Sequence, residues 1–325
     1  MEYRQLGQTS VEVSRIGFGC GPASGHDYGP VDPAEWIAAV RTALDEGINL
    51  FDVADVYGFG RAEELLAQAL GGRRHDVIMA TKCGLAWDET GRVHRDLSRK
   101  KVREALEGSL RRLQVERISL YQIHWPDPST PIEDVMETLA ECQSEGKIRW
   151  IGVSNFSLDL LRRARAVCRF ESEQVGFNLL SRSAEFEVLP WCQTAQIAVL
   201  AHSALARGIL AGKRSIGSKF DGTDTRKTSP YFSEDGLAEK TQLLQVIREL
   251  STRTDRTFSS IALRWALDDP HMTAVLVGIK NRQQLSENLE AVGWQLNPKD
   301  RELLSQVSAA CPEGLAGAPA HATKG

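Results

Sequence analysis

Short apolar runs, most of them followed by a helix-period segment, recur eight times along this chain, and that repeat limits its fold more than any other feature. A hairpin candidate, YRQL and VEVS around Gly7 to Ser10, comes first. RIGFG leads into a helix from about Pro33 to Glu46, with Asp32 placed to cap it, Pro33 at its first position and Gly47 at its end. INLFD precedes a helix from Arg61 to Leu70, DVIMAT one from Ser98 to Leu113, and ISLYQI one from Pro131 to Glu145. IRWIGVS precedes Leu158 to Arg169, and SEQVGF a shorter helix near Phe186 to Thr194. IAVLA precedes a long stretch, Arg207 to Asp235, rich in Gly, Ser, Asp and Lys, which reads as a functional loop. Helical patterns at Leu237 to Ser251 and Phe258 to Leu267 follow, and TAVLVG then precedes Arg282 to Val292. Parallel strands covered on both faces give such runs. The expected class is α/β, a (β/α)8 TIM barrel with an N-terminal β-hairpin and a long loop after strand seven. A doubly wound open sheet is the alternative, but no composition break separates two domains. One domain over residues 1–313 is expected, with the Ala/Gly/Pro-rich residues 314–325 as a disordered tail.

Charge and composition exclude several kinds of function. A net charge of -4 and a pI near 6.0 provide no cationic field for a polyanion, so no nucleic-acid partner is expected. No run approaches the ~20 apolar residues of a membrane span, and MEYRQLGQTSVEV lacks an apolar leader, which points to a soluble, cytoplasmic protein. The six cysteines are widely spaced and read as reduced, packed thiols. His26, His75, His94, His271 and His321 read as surface or structural residues; only His124 and His202 sit near strand ends, so no metal is expected. The sequence leaves the oligomeric state open.

The chemistry lies behind the apolar runs. Asp52 and Tyr57 follow INLF, Lys82 follows VIMAT and His124 follows ISLYQI. In a barrel the carboxyl ends of the strands form the active site, where Asp52, Lys82, His124, Asn155 and Gln174 would converge. Ionisable groups there are costly to bury unless paired, which points to acid/base chemistry. A free tyrosine titrates near pH 10, and serving as a proton relay near neutrality asks for a shift of about 3 units, roughly 4 kcal/mol. One ammonium about 4 Å away at an effective dielectric of about 20 supplies about that much. Lys82 is the candidate ammonium, and a carboxylate such as Asp52 would keep it charged.

FDVADVYGFGRAEELL, ATKCGL, LYQIHWPDP, GKIRWIGVSNFS, QVGFNLLSR and VGIKNRQQLSENL closely resemble, in order and spacing, the successive motifs of the aldo-keto reductase superfamily. The resemblance runs from about residue 3 to residue 292. It implies an NADPH-dependent carbonyl reductase in which hydride passes from nicotinamide to a carbonyl carbon. Tyr57 would be the proton donor, Lys82 and Asp52 the pair that tunes it, and His124 the group that orients or polarises the carbonyl oxygen. Two alternatives are an NAD(P)-dependent sugar or alcohol dehydrogenase and a cofactor-binding regulatory subunit with negligible turnover.

The cofactor reading follows from the same motifs. GFGCGP places Pro22 where a Rossmann fingerprint needs its third glycine, which excludes that motif. The resemblance implies instead a dinucleotide extended across the barrel mouth. Ser154, Asn155 and Gln174 resemble the nicotinamide-amide ligands. His202, Ser203 and Leu205 of AHSAL lie in a cofactor segment that commonly carries an aromatic where His202 stands. Arg207, Gly208 and Lys213 belong to RGILAGK, which resembles the family's cofactor-covering loop. At the phosphate end stand Gly278, Lys280, Arg282, Gln284, Glu287 and Asn288; Gln284 and Asn288 share a helical face, and Asn281 can cap that helix. Lys280 and Arg282 favour NADP(H) over NAD(H), and the sequence places no acidic residue to compete for the ribose hydroxyl. Tyr28, Trp87 and Trp125 are the aromatic candidates for a pocket taking a small-molecule carbonyl or sugar substrate.

Overall fold

The eight apolar runs form eight parallel strands closed into a barrel in the computed structural model, which describes residues 1–25, 28–212, 220, 224–228 and 232–311. The hairpin comes first, β1 (Tyr3–Gln5) antiparallel to β2 (Glu12–Ser14). The barrel consists of β3 (Ile16–Gly19), β4 (Leu50–Asp52), β5 (Ile78–Cys83), β8 (Ile118–Ile123), β9 (Ile148–Ser154), β10 (Ser172–Gly176), β11 (Ala198–His202) and β12 (Met272–Gly278), in that order, with β12 pairing back to β3. Between β5 and β8 lies a second hairpin, β6 (Leu85–Trp87) with β7 (Val93–Arg95). The sequence reading did not anticipate it.

Helices α1 (Pro33–Asp45), α2 (Arg61–Leu70), α3 (Arg99–Leu113), α4 (Ile132–Ser144), α5 (Leu158–Val167) and α6 (Val188–Thr194) fall within two residues of the expected spans. As expected, Asp32 caps α1 by accepting the Ala34 N–H at 2.9 Å. The helix expected at Leu237 to Ser251 divides into α7 (Glu234–Ala238) and α8 (Thr241–Thr254), because Ser233 accepts the Gly236 N–H and starts a separate turn. Helices α9 (Phe258–Leu267) and α10 (Arg282–Leu289) follow, the latter ending three residues before the expected Val292. A further helix, α11 (Pro298–Ala309), was missed although Asn297 caps it and Pro298 opens it. The expected tail, 314–325, lies outside the described residues.

Strand parity builds the site. Successive strand side chains point to opposite faces, so in β4 Leu50 and Asp52 face the barrel interior while Phe51 joins the layer under the helices. In the same way Ile78, Ala80 and Lys82 of β5 point inward, as do Leu120 and Gln122 of β8 and Leu200 and His202 of β11. Leu6 and Val13 from the hairpin join Leu50, Ile78, Leu120 and Leu200 in a buried apolar plug. The interior is therefore apolar at its amino end and polar at its carboxyl end, where the chemistry can sit. Gly19 answers the glycine-rich opening of the first strand: a Cβ there would stand 3.0 Å from the Val277 backbone, so this glycine serves strand packing.

Candidate active site

Lys82, fully buried, is held by two acceptors. Its Nζ donates to Asp52 Oδ1 at 2.6 Å and to the Val53 carbonyl at 3.0 Å. The other carboxylate oxygen accepts from Gln174 Nε2 at 2.8 Å and Gln122 Nε2 at 3.4 Å. A buried ion pair is costly unless its remaining lone pairs and protons are satisfied, and here the carboxylate meets an ammonium and two amides. Gln122 was not singled out in the sequence, although its inward parity in ISLYQI was the available signal.

Tyr57 sits over this pair. The Lys82 ammonium lies 5.3 Å from the centroid of its ring, and the His124 ring meets it edge-on at 5.8 Å. Burial, the Lys82 charge and His202 hold the His124 imidazole well below its ordinary range, so it is neutral at physiological pH and offers one N–H. His202 is pushed down to about 4 by burial and then by Lys82.

The residues expected at the cofactor amide are brought together, with most of their polar atoms already engaged. Asn155, at φ 62°, donates from Nδ2 to the His124 carbonyl at 3.0 Å and to Ser154 Oγ at 2.9 Å. Its Oδ1 is 2.9 Å from His202 Nε2, and because His202 is neutral this is one N–H donated to an amide oxygen. Ser154 donates to the Gln174 carbonyl at 2.7 Å. Thus His202, standing where the family commonly carries an aromatic, holds Asn155 by hydrogen bonding.

One cavity of about 640 Å³ opens over these groups. It runs from Tyr57, His124 and Trp125 past Ser154, Asn155, Gln174, His202, Ser203 and Leu205 to Arg207, Gly208, Gly278, Lys280, Gln284, Glu287 and Asn288. Tyr28 lines it, but Trp87 does not: that indole packs 5.5 Å from Phe59, which itself lines the cavity. Arg282 is also outside it, in an adjoining hollow where it donates to Glu35 at 3.1 Å. Glu35 of α1 therefore stands beside Arg282 in that hollow. Lys280 donates to the carbonyls of Tyr28 and Pro30. Lys213 lies outside the described residues. His94, read as a surface or structural residue, lines the cavity, as do Arg95 and Arg226. Among the described residues no cluster of three His, Cys, Asp or Glu side chains is placed to hold a metal. Nor, among those residues, is any helix long and apolar enough to cross a membrane.

A model of the aldo/keto reductase family matches residues 15–309. The chain belongs to the aldo/keto reductase family. It is 38% identical over 310 residues to the aldo-keto reductase YhdN of Bacillus subtilis, covering 94% of this chain and 93% of that one. It is 31% identical over 320 residues to the NADH-specific methylglyoxal reductase of Escherichia coli, covering 94% and 98%. The solved structure of a glycerol dehydrogenase from Gluconobacter oxydans superposes with a TM-score of 0.87 at 33% identity, over 98% of each chain. Membership makes this aldo-keto reductase an oxidoreductase of carbonyls and alcohols that uses a nicotinamide cofactor.

Beneath the site, Asp55 is buried and accepts the Val56 N–H at 2.7 Å. Burial, and then the nearby Glu63 carboxylate, push its carboxyl up to about 8. The unfolded chain gives up this proton near pH 4, whereas the folded reductase keeps it to about pH 8, so stability falls as pH rises across that window. Asp55→Asn removes the ionisation, and thermal melts from about pH 5 to about pH 8 should show a smaller loss of Tm in the variant. An identical loss in both proteins would contradict this account of Asp55.

Proposed function

We propose that the protein is an NADPH-dependent reductase of aldehydes or ketones, with Tyr57 as proton donor. The observation that carries the reading is the buried Asp52–Lys82 pair beneath the Tyr57 ring, with neutral His124 against the same ring. A nicotinamide dinucleotide held in the cavity would supply a hydride to the carbonyl carbon. The chain's own residues manage the oxygen. His124 donates its N–H and polarises the carbonyl without adding charge, and Tyr57 delivers a proton as the alkoxide forms. Lys82 stabilises the phenolate left behind; a unit charge about 5 Å away at an effective dielectric of about 20 is worth ~3 kcal/mol. Asp52 keeps Lys82 charged inside the barrel.

The cavity fits an extended dinucleotide. Gln174 lies at its inner end, and Arg207 lines its middle with a buried Nε that has no hydrogen-bond partner among the described residues. A pyrophosphate oxygen would satisfy that donor. Lys280 and the capped start of α10 lie at the far end, suited to a phosphate. The Glu35–Arg282 pair, together with the NADH specificity of the Escherichia coli relative, favours a second reading in which NADH is the preferred cofactor. Steady-state rates with NADPH and NADH over a panel of aldehydes, dicarbonyls and sugars decide between them. A kcat/KM at least about tenfold higher with NADPH, equivalent to about 1.4 kcal/mol, is the expected result. Equal or higher values with NADH would overturn the cofactor assignment.

A further inference from the structure

Arg95 ends β7, the outer strand of the second hairpin, and lines the cavity beside His94, Phe59 and Trp125. Its guanidinium lies 5.6 Å from the centroid of the Trp125 ring, and Trp125 directly follows His124. Among the described residues Arg95 is in no ion pair. Asp88, Asp96 and Asp127 are spent elsewhere, and Glu89 is exposed on the hairpin turn. Asp88 accepts from the Thr90 N–H and hydroxyl and from the Arg92 N–H, closing the hairpin turn. Asp96 accepts the Ser98 N–H before α3. Asp127 accepts from the Leu97 N–H and from Ser129 and Thr130. Among the described residues of the cavity lining the two carboxylates are Asp52, held by Lys82, and Glu287, which stands with Gln284 and Asn288 on α10. Among the described residues the substrate end therefore carries a cation in no ion pair, set on an aromatic ring. An arginine on an indole face keeps the edge of its planar fork available, and that edge matches a carboxylate in two parallel hydrogen bonds.

We propose that Arg95 is the anion-recognition residue of the substrate pocket, and that the preferred substrates are aldehydes or ketones bearing a carboxylate. The inference rests on the reductase reading above. Because Arg95 rests on Trp125, the anion is received one side chain beyond His124, so the carboxylate and the carbonyl occupy separate ends of the substrate. Phe59, Tyr57 and Trp125 provide aromatic surface for the body of the molecule between them.

The test compares 4-carboxybenzaldehyde with its neutral carboxamide counterpart, which has nearly the same shape, using wild type and Arg95→Gln. Wild type should favour the carboxylate by about tenfold in kcat/KM at low ionic strength, with the preference shrinking as salt is added. Arg95→Gln should bring the ratio close to one, mainly through KM, because an anion contact made equally in substrate and transition state is uniform binding. NADPH affinity, read by quenching of tryptophan fluorescence, should be unchanged in Arg95→Gln. Turnover of both aldehydes with no carboxylate preference, or a preference that survives Arg95→Gln, overturns this inference and leaves the reductase reading intact. If neither aldehyde nor any other carbonyl of the panel is turned over, the reductase reading fails; wherever this pair is not turned over, terephthalate binding decides the anion site. Binding that depends on Arg95 supports it, and binding that does not ends it.

Discussion

Tyr57→Phe should lower the rate of carbonyl reduction about 10²- to 10⁴-fold, the range over which a positioned acid contributes, while NADPH still binds. The expectation follows from where the ring sits. Lys82 is close enough to stabilise a phenolate but is completely buried and spends its protons on Asp52 and the Val53 carbonyl. His124 is neutral, with burial the main reason that its charged form is disfavoured. Neither neighbour replaces the phenol as acid near neutrality, so the loss should appear chiefly in kcat. Fluorescence titration with NADPH alongside single-turnover kinetics separates the two effects. A variant that retains more than about a third of the wild-type rate would remove Tyr57 from the reaction.

The second large effect belongs to the charge pair. Lys82→Met leaves the Asp52 carboxylate buried with only the amides of Gln174 and Gln122, and stability should fall by about 3–5 kcal/mol, the usual cost of stranding one partner of a buried pair. The doubly substituted Lys82→Met, Asp52→Asn protein removes both charges while keeping an acceptor for the Gln174 amide. It should recover most of the lost stability but none of the lost activity. Urea unfolding and NADPH oxidation measured on both variants separate the roles. Recovery of activity in the double variant would show that the pair is structural only.

These expectations were legible in the sequence because they rest on local rules. A residue two positions further along a strand returns to the same face, so the inward set of Asp52, Lys82, Gln122 and Gln174 follows from its place in each apolar run. Features made by distant segments were not legible. The Glu35–Arg282 contact joins residues 247 apart, and no periodicity in either segment points to it. Trp87 follows its strand run as a wall residue would, yet it belongs to the hairpin that the sequence reading missed and packs on Phe59, from the segment between β4 and α2. That hairpin carried a signal in DETG, where Asp88 and Gly91 make the turn, but three-residue strands give too little alternation to register. The role of His202 depended on how its neighbours are satisfied: the ring turned toward Asn155 Oδ1 because that amide oxygen needed a donor.

The most direct test of the central claim is the fate of the hydride. A single turnover with NADPH deuterated at the transferring position of the nicotinamide, run with the best substrate from the carbonyl panel, should place deuterium on the carbinol carbon of the alcohol. The same experiment with Tyr57→Phe should give the same labelled product at a much lower rate. Alcohol formed without the label, or bound cofactor that stays reduced with every carbonyl offered, would contradict the assignment of this site as a hydride-transferring carbonyl reductase.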